Sequence, residues 1–214
     1  MPKIQQNKFY HHFKKITVFS AEIIILMITF FAALITFILI AKNIFAGNSY
    51  PFDAKAFIFV DGHINNLNTE VMEFFTFLGT HLFLIPANLI LITWFLFVEK
   101  KRWLSIKISA IAISSLLLMF ILKLTFVRPR PSDPLLVQAA GYSFPSGHAL
   151  MSVTFYGLLL YIIFQYVKDK WIRLCLSVFF IALVLLIGLS RIYLRVHYAS
   201  DVIAGFCVGI TWLI

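Results

Sequence analysis

The sequence predicts an all-α integral membrane protein, a bundle of six transmembrane helices with an amphipathic interfacial segment after the first. Two observations predict this class. The 214 residues are 61% hydrophobic and only 13% charged, which is far from the composition of soluble globular proteins. The charges fall in short clusters that separate long apolar runs, and a bilayer-spanning helix needs roughly 20 such residues. We expect residues 1–214 to form one membrane-embedded domain, because no internal repeat or low-complexity linker divides them.

The six predicted spans follow one another along the chain. Residues 17–41 form the first, which is interrupted only by Glu22. Its length and the lack of a small-residue cleavage site favour a retained anchor helix over a signal peptide. Residues 74–98, 103–127, 146–167 and 171–189 form the second to fifth spans. The sixth runs from near Tyr198 to Ile214, which is short for a membrane span, so we expect the natural chain to continue.

Residues 42–73, between the first two spans, are not hydrophobic enough to cross a bilayer. Apolar side chains recur there at helical spacing, and polar side chains occupy the other side. The apolar set is Phe52, Ala56, Phe57, Val60, Ile64 and Leu67, and the polar set is Asp53, Lys55, Asp61 and Asn65. This pattern predicts an amphipathic helix that lies in the membrane interface. The alternative is an ordinary connecting loop with a helical turn.

The basic residues predict the orientation of the bundle. Eleven would lie on the side of the N-terminus and seven on the other, and most of these seven belong to polar clusters described below. The first set is Lys3, Lys8, Lys14, Lys15, Lys100, Lys101, Arg102, Lys107, Lys168, Lys170 and Arg173; the second is Lys42, Lys55, Lys123, Arg128, Arg130, Arg191 and Arg195. The positive-inside rule therefore predicts a cytoplasmic N-terminus.

Several other features suggest no chemistry of their own. The net charge of +9 does not favour nucleic-acid binding, since the charges form no basic face. Cys175 and Cys207 lie in apolar runs and are interpreted as small core residues, which gives no disulfide or metal site. Surface or packing roles are expected for four histidines, and helix packing for one pair of glycines. These are His11, His12, His63 and His81, with Gly205 and Gly209.

The polar clusters all fall at one end of the predicted bundle, at the close of the third and fifth spans and the start of the fourth and sixth. They are Lys123 with residues 128–131, then residues 144–148, and then residues 190–201. Polar groups at a membrane edge are costly unless they have a function. In residues 190–201, a helix that starts at Val196 would put His197 and Asp201 on one face. The carboxylate would then accept the imidazole Nδ1 proton and leave Nε2 unprotonated, as a nucleophile beside an anion-binding arginine.

The other two clusters have the chemistry of an anion site. Ser146 is expected to cap a helix, and Gly147 leaves room for an anion to reach the free backbone N–H groups, with His148 beside the same oxygen. The cations would come from Lys123, Arg130 and Arg191. Each feature alone has a simpler explanation, because an arginine near the end of a span often reaches lipid headgroups and Ser-Gly is often only a cap.

Taken together, the clusters form an ordered pattern. Lys123 is followed after six residues by Arg130-Pro131, then comes Pro145-Ser146-Gly147-His148, and then Ser190-Arg191, five residues, His197, three residues and Asp201. This pattern resembles the three-part signature of the type 2 phosphatidic acid phosphatase superfamily at every defining position. The resemblance covers residues 123–201, and the six-span layout with an interfacial segment is similar to the membrane branch of the superfamily.

The resemblance implies a role for each residue of the signature. His197 would attack phosphorus to give a phosphohistidine, Asp201 would orient it, and His148 would protonate the leaving group and later activate water. The phosphate oxygens would be held by Lys123, Arg130, Ser146, Gly147 and Arg191. No metal or other cofactor is expected, because the lysine and arginine side chains would stabilise the phosphate charge that magnesium stabilises in other enzymes. For Arg128 and Arg195, which lie outside the signature, we expect headgroup contact or a structural role.

The resemblance implies a lipid phosphate phosphatase whose site lies at the outer leaflet of the cell membrane. The substrate would be a lipid phosphate or diphosphate such as phosphatidylglycerol phosphate, phosphatidic acid, undecaprenyl diphosphate or a lipid A phosphate. Two alternatives stay open. One is a phosphotransferase that passes the phosphoryl group from His197 to another lipid, and the other is a catalytically idle lipid-binding membrane protein. The partners expected are thus the bilayer and a lipid phosphate; the oligomeric state is left open.

Overall fold

The computed structural model of the protein describes residues 3–46, 51–136 and 139–214, with side chains from residue 21 onward. These residues form α-helices, one π-helical turn and no strand, so the predicted all-α class is confirmed. The helices are α1 (Lys3–Phe45), α2 (Pro51–Asp61), α3 (Asn66–Leu78), α4 (His81–Thr93) with the π-helical turn Trp94–Val98, α5 (Arg102–Phe126), α6 (Gly147–Tyr166), α7 (Lys170–Tyr193) and α8 (Ala199–Leu213).

The six predicted spans each correspond to an apolar helix. Five segments within the described residues are long and hydrophobic enough to cross a membrane: Ala21–Phe45 of α1, His81–Val98, Arg102–Phe126, Gly147–Tyr166 and Lys170–Tyr193. The remaining one, α8, is apolar but has only 15 residues. The fifth span extends beyond residue 189, so Ser190 and Arg191 lie in the last turn of α7 instead of in a loop.

The predicted second span was wrong at its beginning. Residues 74–78 belong to α3, which ends at Leu78, and the crossing helix starts at His81 after a turn at Gly79. A Cβ atom at Gly79 would lie 2.5 Å from Cγ2 of Ile187 and 3.2 Å from Cδ2 of His148. The chain therefore breaks where its backbone lies against α6 and α7, and the continuous apolar run hides this break.

The predicted interfacial segment consists of two helices, α2 and α3, and its residues 47–50 lie outside the described part. On the predicted apolar face, Val60 is buried within the bundle, and Phe52 and Leu67 are exposed on its outside. Asp53, which the pattern assigned to the polar face, is buried with 5% of its surface exposed. The difference arises because α2 packs against α7 and α8, and a polar network at the head of α8 takes up the carboxylate.

The short helix α8 packs mainly against α6 and α1. A Cβ atom added to Gly205 would lie 2.6 Å from the carbonyl oxygen of Ser146. A Cβ atom added to Gly209 would lie 2.7 Å from Cβ of Val153. The packing role predicted for this glycine pair is therefore confirmed. Cys207 is buried in α8 as predicted, but Cys175 is exposed because α7 turns that side outward, so the interpretation of Cys175 as a core residue was wrong.

Backbone hydrogen bonds join the segment before α6 to the beginning of α8 and to the residues that follow α5. The Ser146 N–H donates to the carbonyl of Asp201 at 3.0 Å, and the Ser143 N–H donates to the carbonyl of Arg128 at 2.8 Å. Phe144 is fully buried beside them, packed against aromatic rings of α1 and α5. All the polar clusters of the sequence thus meet at one end of the bundle.

Candidate active site

His197 and Asp201 are in contact, although the local structure differs from the prediction. The helical condition at Val196 is not met, because residues 194–198 form a turn, but α8 begins at Ala199, which confirms the predicted start near Tyr198. His197 Nδ1 nevertheless lies 3.4 Å from Asp201 Oδ2, and the same oxygen accepts from the Tyr198 N–H at 3.0 Å. Asp201 therefore caps α8 and contacts the histidine at the same time. His197 is 1% exposed and Asp201 is fully buried.

The neighbours of His197 determine its tautomer. Arg130 Nη1 lies 3.3 Å from His197 Nε2, and a guanidinium can only donate hydrogen bonds. Nε2 must therefore carry the lone pair and Nδ1 the proton, which faces Asp201. This is the tautomer that a nucleophilic Nε2 requires. Burial lowers the pKa of His197 to about 4, against the opposing effect of Asp201, so the imidazole is neutral near pH 7.

Ser143 is a contact of this pair that the sequence analysis missed. Its hydroxyl donates a short hydrogen bond to Asp201 Oδ2 and lies 3.4 Å from His197 Nδ1. The hydroxyl can donate to the carboxylate while its lone pair accepts from Nδ1–H. Ser143 thus bridges the two side chains and holds the Asp201 carboxylate. It lies three residues before the cap of α6, where no pattern distinguishes it from a loop serine.

The N-terminus of α6 has the predicted form. The Ser146 hydroxyl accepts from the Ala149 N–H at 3.4 Å and caps the helix, and Gly147 is its first residue. A Cβ atom at Gly147 would lie 2.5 Å from Sδ of Met119, so this glycine is also needed for close packing against α5. His148 follows in the first turn. Its buried Nε2 atom has no hydrogen-bond partner within the described part of the chain.

The three predicted cations converge on the same end of the bundle. Lys123 Nζ donates to the carbonyl of Tyr142 through a short hydrogen bond. Arg130 donates to the carbonyls of Val196 at 2.8 Å and Gly141 at 3.0 Å. Burial lowers the pKa of Arg130 from its usual value, but a guanidinium stays charged. Backbone carbonyls therefore orient these cations without neutralising their charge.

Arg191 is held from a different direction. Its Nη1 atom donates to the Thr76 hydroxyl of α3 through a short hydrogen bond, while its buried Nε finds no partner among the described residues. Thr76 was not noticed in the sequence, because it lay inside the predicted second span. The Arg191 guanidinium and the His148 imidazole thus each have one buried polar atom without a partner among the described residues, and both side chains line the same cavity.

Arg128 and Arg195, for which headgroup contact or a structural role was expected, have a structural role, because both arginines form ion pairs with the segment between the first two spans. Their contact with lipid headgroups stays a prediction. Arg128 binds Asp201 and, at 2.9 Å, Asp53 of α2. Arg195, with a left-handed φ of 53°, binds Asp61 at the end of α2. Sequence patterns could not predict these pairs, because the partners are distant along the chain. Arg128 is more than 70 residues from both of its partners, and Arg195 is 134 residues from Asp61.

A cavity of about 600 Å³ connects the site to the apolar part of the bundle. At one end five polar side chains of the predicted site line it: Lys123, Arg130, His148, Arg191 and His197. From there it continues between α4 and α5 along apolar side chains, which include Leu84, Leu89, Ile92, Ile113 and Leu116. Leu89 and Ile113 are more than half exposed, so the groove is open along this edge.

Two of the remaining histidines, His63 and His81, have side chains that the structure describes. His63 bonds to the Phe59 carbonyl of its own chain segment at the surface, as expected. His81 is the first residue of α4 and of the second membrane span, and it lines the wall of the cavity. The side chains of His11 and His12 are outside the described part. Among the described residues, no group of three or more His, Cys, Asp or Glu is arranged to hold a metal ion, and the expectation of a metal-free reaction stays a prediction.

Comparisons with known proteins agree with this geometry. The model of the PAP2 superfamily matches residues 103–214, which include every residue of the predicted site. Phosphatidylglycerophosphatase B of Bacillus subtilis is 32% identical over 146 residues, covering 66% of this chain and 70% of the relative.

Two crystal structures have a similar fold. The transmembrane PAP2-type phosphatidylglycerolphosphate phosphatase of Bacillus subtilis superimposes with a TM-score of 0.76 at 25% identity, over 86% of this chain and 92% of the other. LpxE of Aquifex aeolicus gives a TM-score of 0.58 at 26% identity, over 74% of this chain and 90% of the other. The chain therefore belongs to the PAP2 superfamily and is a multi-pass membrane phosphatase that acts on lipid phosphates.

Proposed function

We propose that the protein hydrolyses a lipid phosphate or diphosphate through a covalent phosphohistidine at His197. The observation that carries this proposal is the shared cavity, in which a cationic end and a neutral imidazole adjoin an apolar groove. A phosphate group fits the first part and a hydrocarbon tail fits the second. A soluble phosphate ester would gain nothing from the apolar walls.

In the first step, the Nε2 lone pair of His197 attacks phosphorus and the bond from phosphorus to the lipid oxygen breaks. Protonated His148 gives its proton to the leaving oxygen. Arg130, which donates to Nε2 at 3.3 Å, and Arg191, which lines the same cavity, would stabilise the negative charge that develops on the phosphoryl oxygens. Asp201 stabilises the positive charge that develops on the imidazole.

In the second step, water attacks the phosphoryl group of His197 and the P–N bond breaks. His148, neutral after the first step, accepts the proton of this water and returns to its protonated form. Lys123 would hold one of the remaining phosphoryl oxygens. The backbone N–H groups at the N-terminus of α6, where Ser146 is the cap and Gly147 leaves room for an anion, would hold the others. The cycle is balanced without a metal or other cofactor, and all 214 residues would serve as one phosphatase domain.

The substrate is a membrane lipid with a terminal phosphate or diphosphate. Phosphatidylglycerol phosphate comes first, because the relatives in the comparisons include enzymes named for it. Phosphatidic acid, undecaprenyl diphosphate and lipid A phosphates have the same combination of headgroup and tail. The positive-inside rule assigns the site to the extracytoplasmic face, where such a lipid would enter the groove sideways from the outer leaflet.

The test is phosphate release by purified protein from a panel of these lipids in detergent with EDTA present. We expect release from at least one lipid, little effect of EDTA, and inhibition by vanadate, whose trigonal-bipyramidal form resembles the transferring phosphoryl group. Strict magnesium dependence without vanadate inhibition would contradict the mechanism. If labelled phosphate is transferred to a second lipid faster than to water, the protein is a phosphotransferase. If the protein binds the lipid in a vanadate-sensitive way but releases no phosphate, it is the catalytically idle lipid-binding protein.

A further inference from the structure

A buried ionic network extends from the active site to helix α2. Asp53 of α2 accepts three hydrogen bonds: from Arg128 Nη2 at 2.9 Å, from the Ser200 N–H at 2.8 Å and from the Ser200 hydroxyl at 2.7 Å. Arg128 Nη1 donates to Asp201 Oδ1 and, at 2.8 Å, to Ser200 Oγ. Asp53 and Asp201 therefore share one guanidinium, and only one of the two belongs to the signature of the family.

The network controls the orientation of the Asp201 carboxylate. Its Oδ1 atom is held by Arg128, and its Oδ2 atom is held by Ser143 and by the Tyr198 N–H. Rotation of the carboxylate would break all of these contacts, so Oδ2 is kept facing His197 Nδ1. Arg128 is oriented in turn by Asp53 on its second nitrogen and by the Tyr198 ring, 4.0 Å from the guanidinium carbon.

Packing alone does not account for this arrangement. Two carboxylates and one guanidinium, all nearly buried, are costly to remove from water, and an apolar cluster would often be as stable. The other ion pair of α2, between Asp61 and Arg195, is partly exposed and does not touch the site. The buried pair of Asp53 and Arg128 thus fixes the orientation of Asp201 in the site, whereas the exposed pair does not.

We propose that Asp53 and Arg128 are positioning residues for the hydrolysis, and that α2 is thereby a working part of the active site. Asp53 fixes Arg128, Arg128 fixes Asp201, and Asp201 holds the Nδ1–H tautomer of His197. This inference rests on the proposed function. It adds two positioning residues outside the signature, one of them in a helix outside residues 103–214, the part that matches the family.

The test compares Asp53→Asn with Asp61→Asn, which removes an equal charge from the same helix. Asp53→Asn should lower kcat by about 10- to 100-fold with KM changed less than twofold, a smaller loss than the ~10⁴-fold typical of replacing a directly orienting carboxylate. Asp61→Asn should stay within twofold of the wild type. Because Asp53 acts through Arg128, Asp53→Asn should lower kcat only slightly further when it is combined with Arg128→Lys.

A readout without turnover separates positioning from loss of fold. In ¹⁵N-histidine NMR of the purified protein, the resonance absent from His197→Ala reports the Nδ1–H bond to Asp201. We expect it to shift in Asp53→Asn and to stay in place in Asp61→Asn, with vanadate affinity kept in both.

An unchanged resonance and kcat in Asp53→Asn would overturn the proposal. So would a loss of kcat that matches a loss of vanadate-binding protein, since that would mean unfolding. Failure of the wild type to release phosphate would instead contradict the proposed function, and the NMR comparison would still decide the positioning role.

Discussion

Arg130 Nη1 donates to His197 Nε2 at 3.3 Å, so the proposed phosphate-binding cation and the proposed nucleophile touch directly. A phosphoryl group placed between them would receive the guanidinium hydrogen bond on an oxygen and the imidazole lone pair on phosphorus. The same contact favours the tautomer in which Nε2 is unprotonated. In the proposed mechanism, this one pair of side chains would arrange both phosphate binding and nucleophilic attack.

The first prediction concerns the two histidines. His197→Ala should reduce turnover by about 10⁴-fold or more, because it removes the atom that bonds to phosphorus. His148→Ala should slow both steps by about 10²- to 10⁴-fold and leave labelled phosphoenzyme, since the base for its hydrolysis is gone. The measurement is acid-labile protein labelling from a ³²P-lipid phosphate. His63→Ala, a surface histidine outside the site, serves as the control. Near-normal turnover of His197→Ala would exclude the phosphohistidine.

The second prediction concerns the tail groove. Leu89 lines the cavity, whereas its neighbour Ile90 does not, and the two are 57% and 70% exposed. Leu89→Trp should fill the groove and raise KM several-fold for a long-chain lipid phosphate, with little change for a short-chain analogue. Ile90→Trp, on the far side of α4, should leave both KM values as they are. Equal effects of the two substitutions would mean that the tail does not lie between α4 and α5.

The three spaced motifs could be predicted from the sequence because their chemistry is carried by residue types at fixed separations. Lys123, His148 and His197 were assigned to one end of the bundle by counting spans alone, and they line one cavity there. Asp53 was missed for a physical reason. Hydrophobic periodicity assigns a charged residue to water, and the partners that satisfy this buried carboxylate, Arg128 and Ser200, are distant in sequence.

The break at Gly79 was missed for a similar reason. Apolar residues continue through it, so hydropathy cannot separate α3 from α4. The break is determined by the close approach to His148 and Ile187, which are distant in sequence. Likewise, Thr76 could not be recognised as a partner of Arg191 while it was counted within a membrane span.

The third prediction concerns pH. Because burial lowers the pKa of His197 to about 4, its imidazole should remain neutral between pH 5 and 7, where an ordinary histidine with a pKa near 6.5 becomes protonated. A folded-state pKa below the unfolded value also means that this group opposes folding as pH falls below about 6.5. The check is a titration of the His197 resonance in ¹³C-histidine NMR, identified by its absence from His197→Ala. A midpoint near 6.5 would contradict the prediction.

The last prediction concerns the side of the membrane that the site faces. Ser132 follows α5 at the end where the site residues meet, and Lys168 lies in the short connection from α6 to α7 at the other end. Both are exposed, and Lys168 is preferable to Asp169, which caps α7. In a Cys175→Ala, Cys207→Ala background, Ser132→Cys should react with an impermeant thiol reagent in intact cells. Lys168→Cys should react only after the cells are opened, because the basic residues of that end favour the cytoplasm. The reverse pattern would place the site in the cytoplasm and exclude substrates of the outer leaflet.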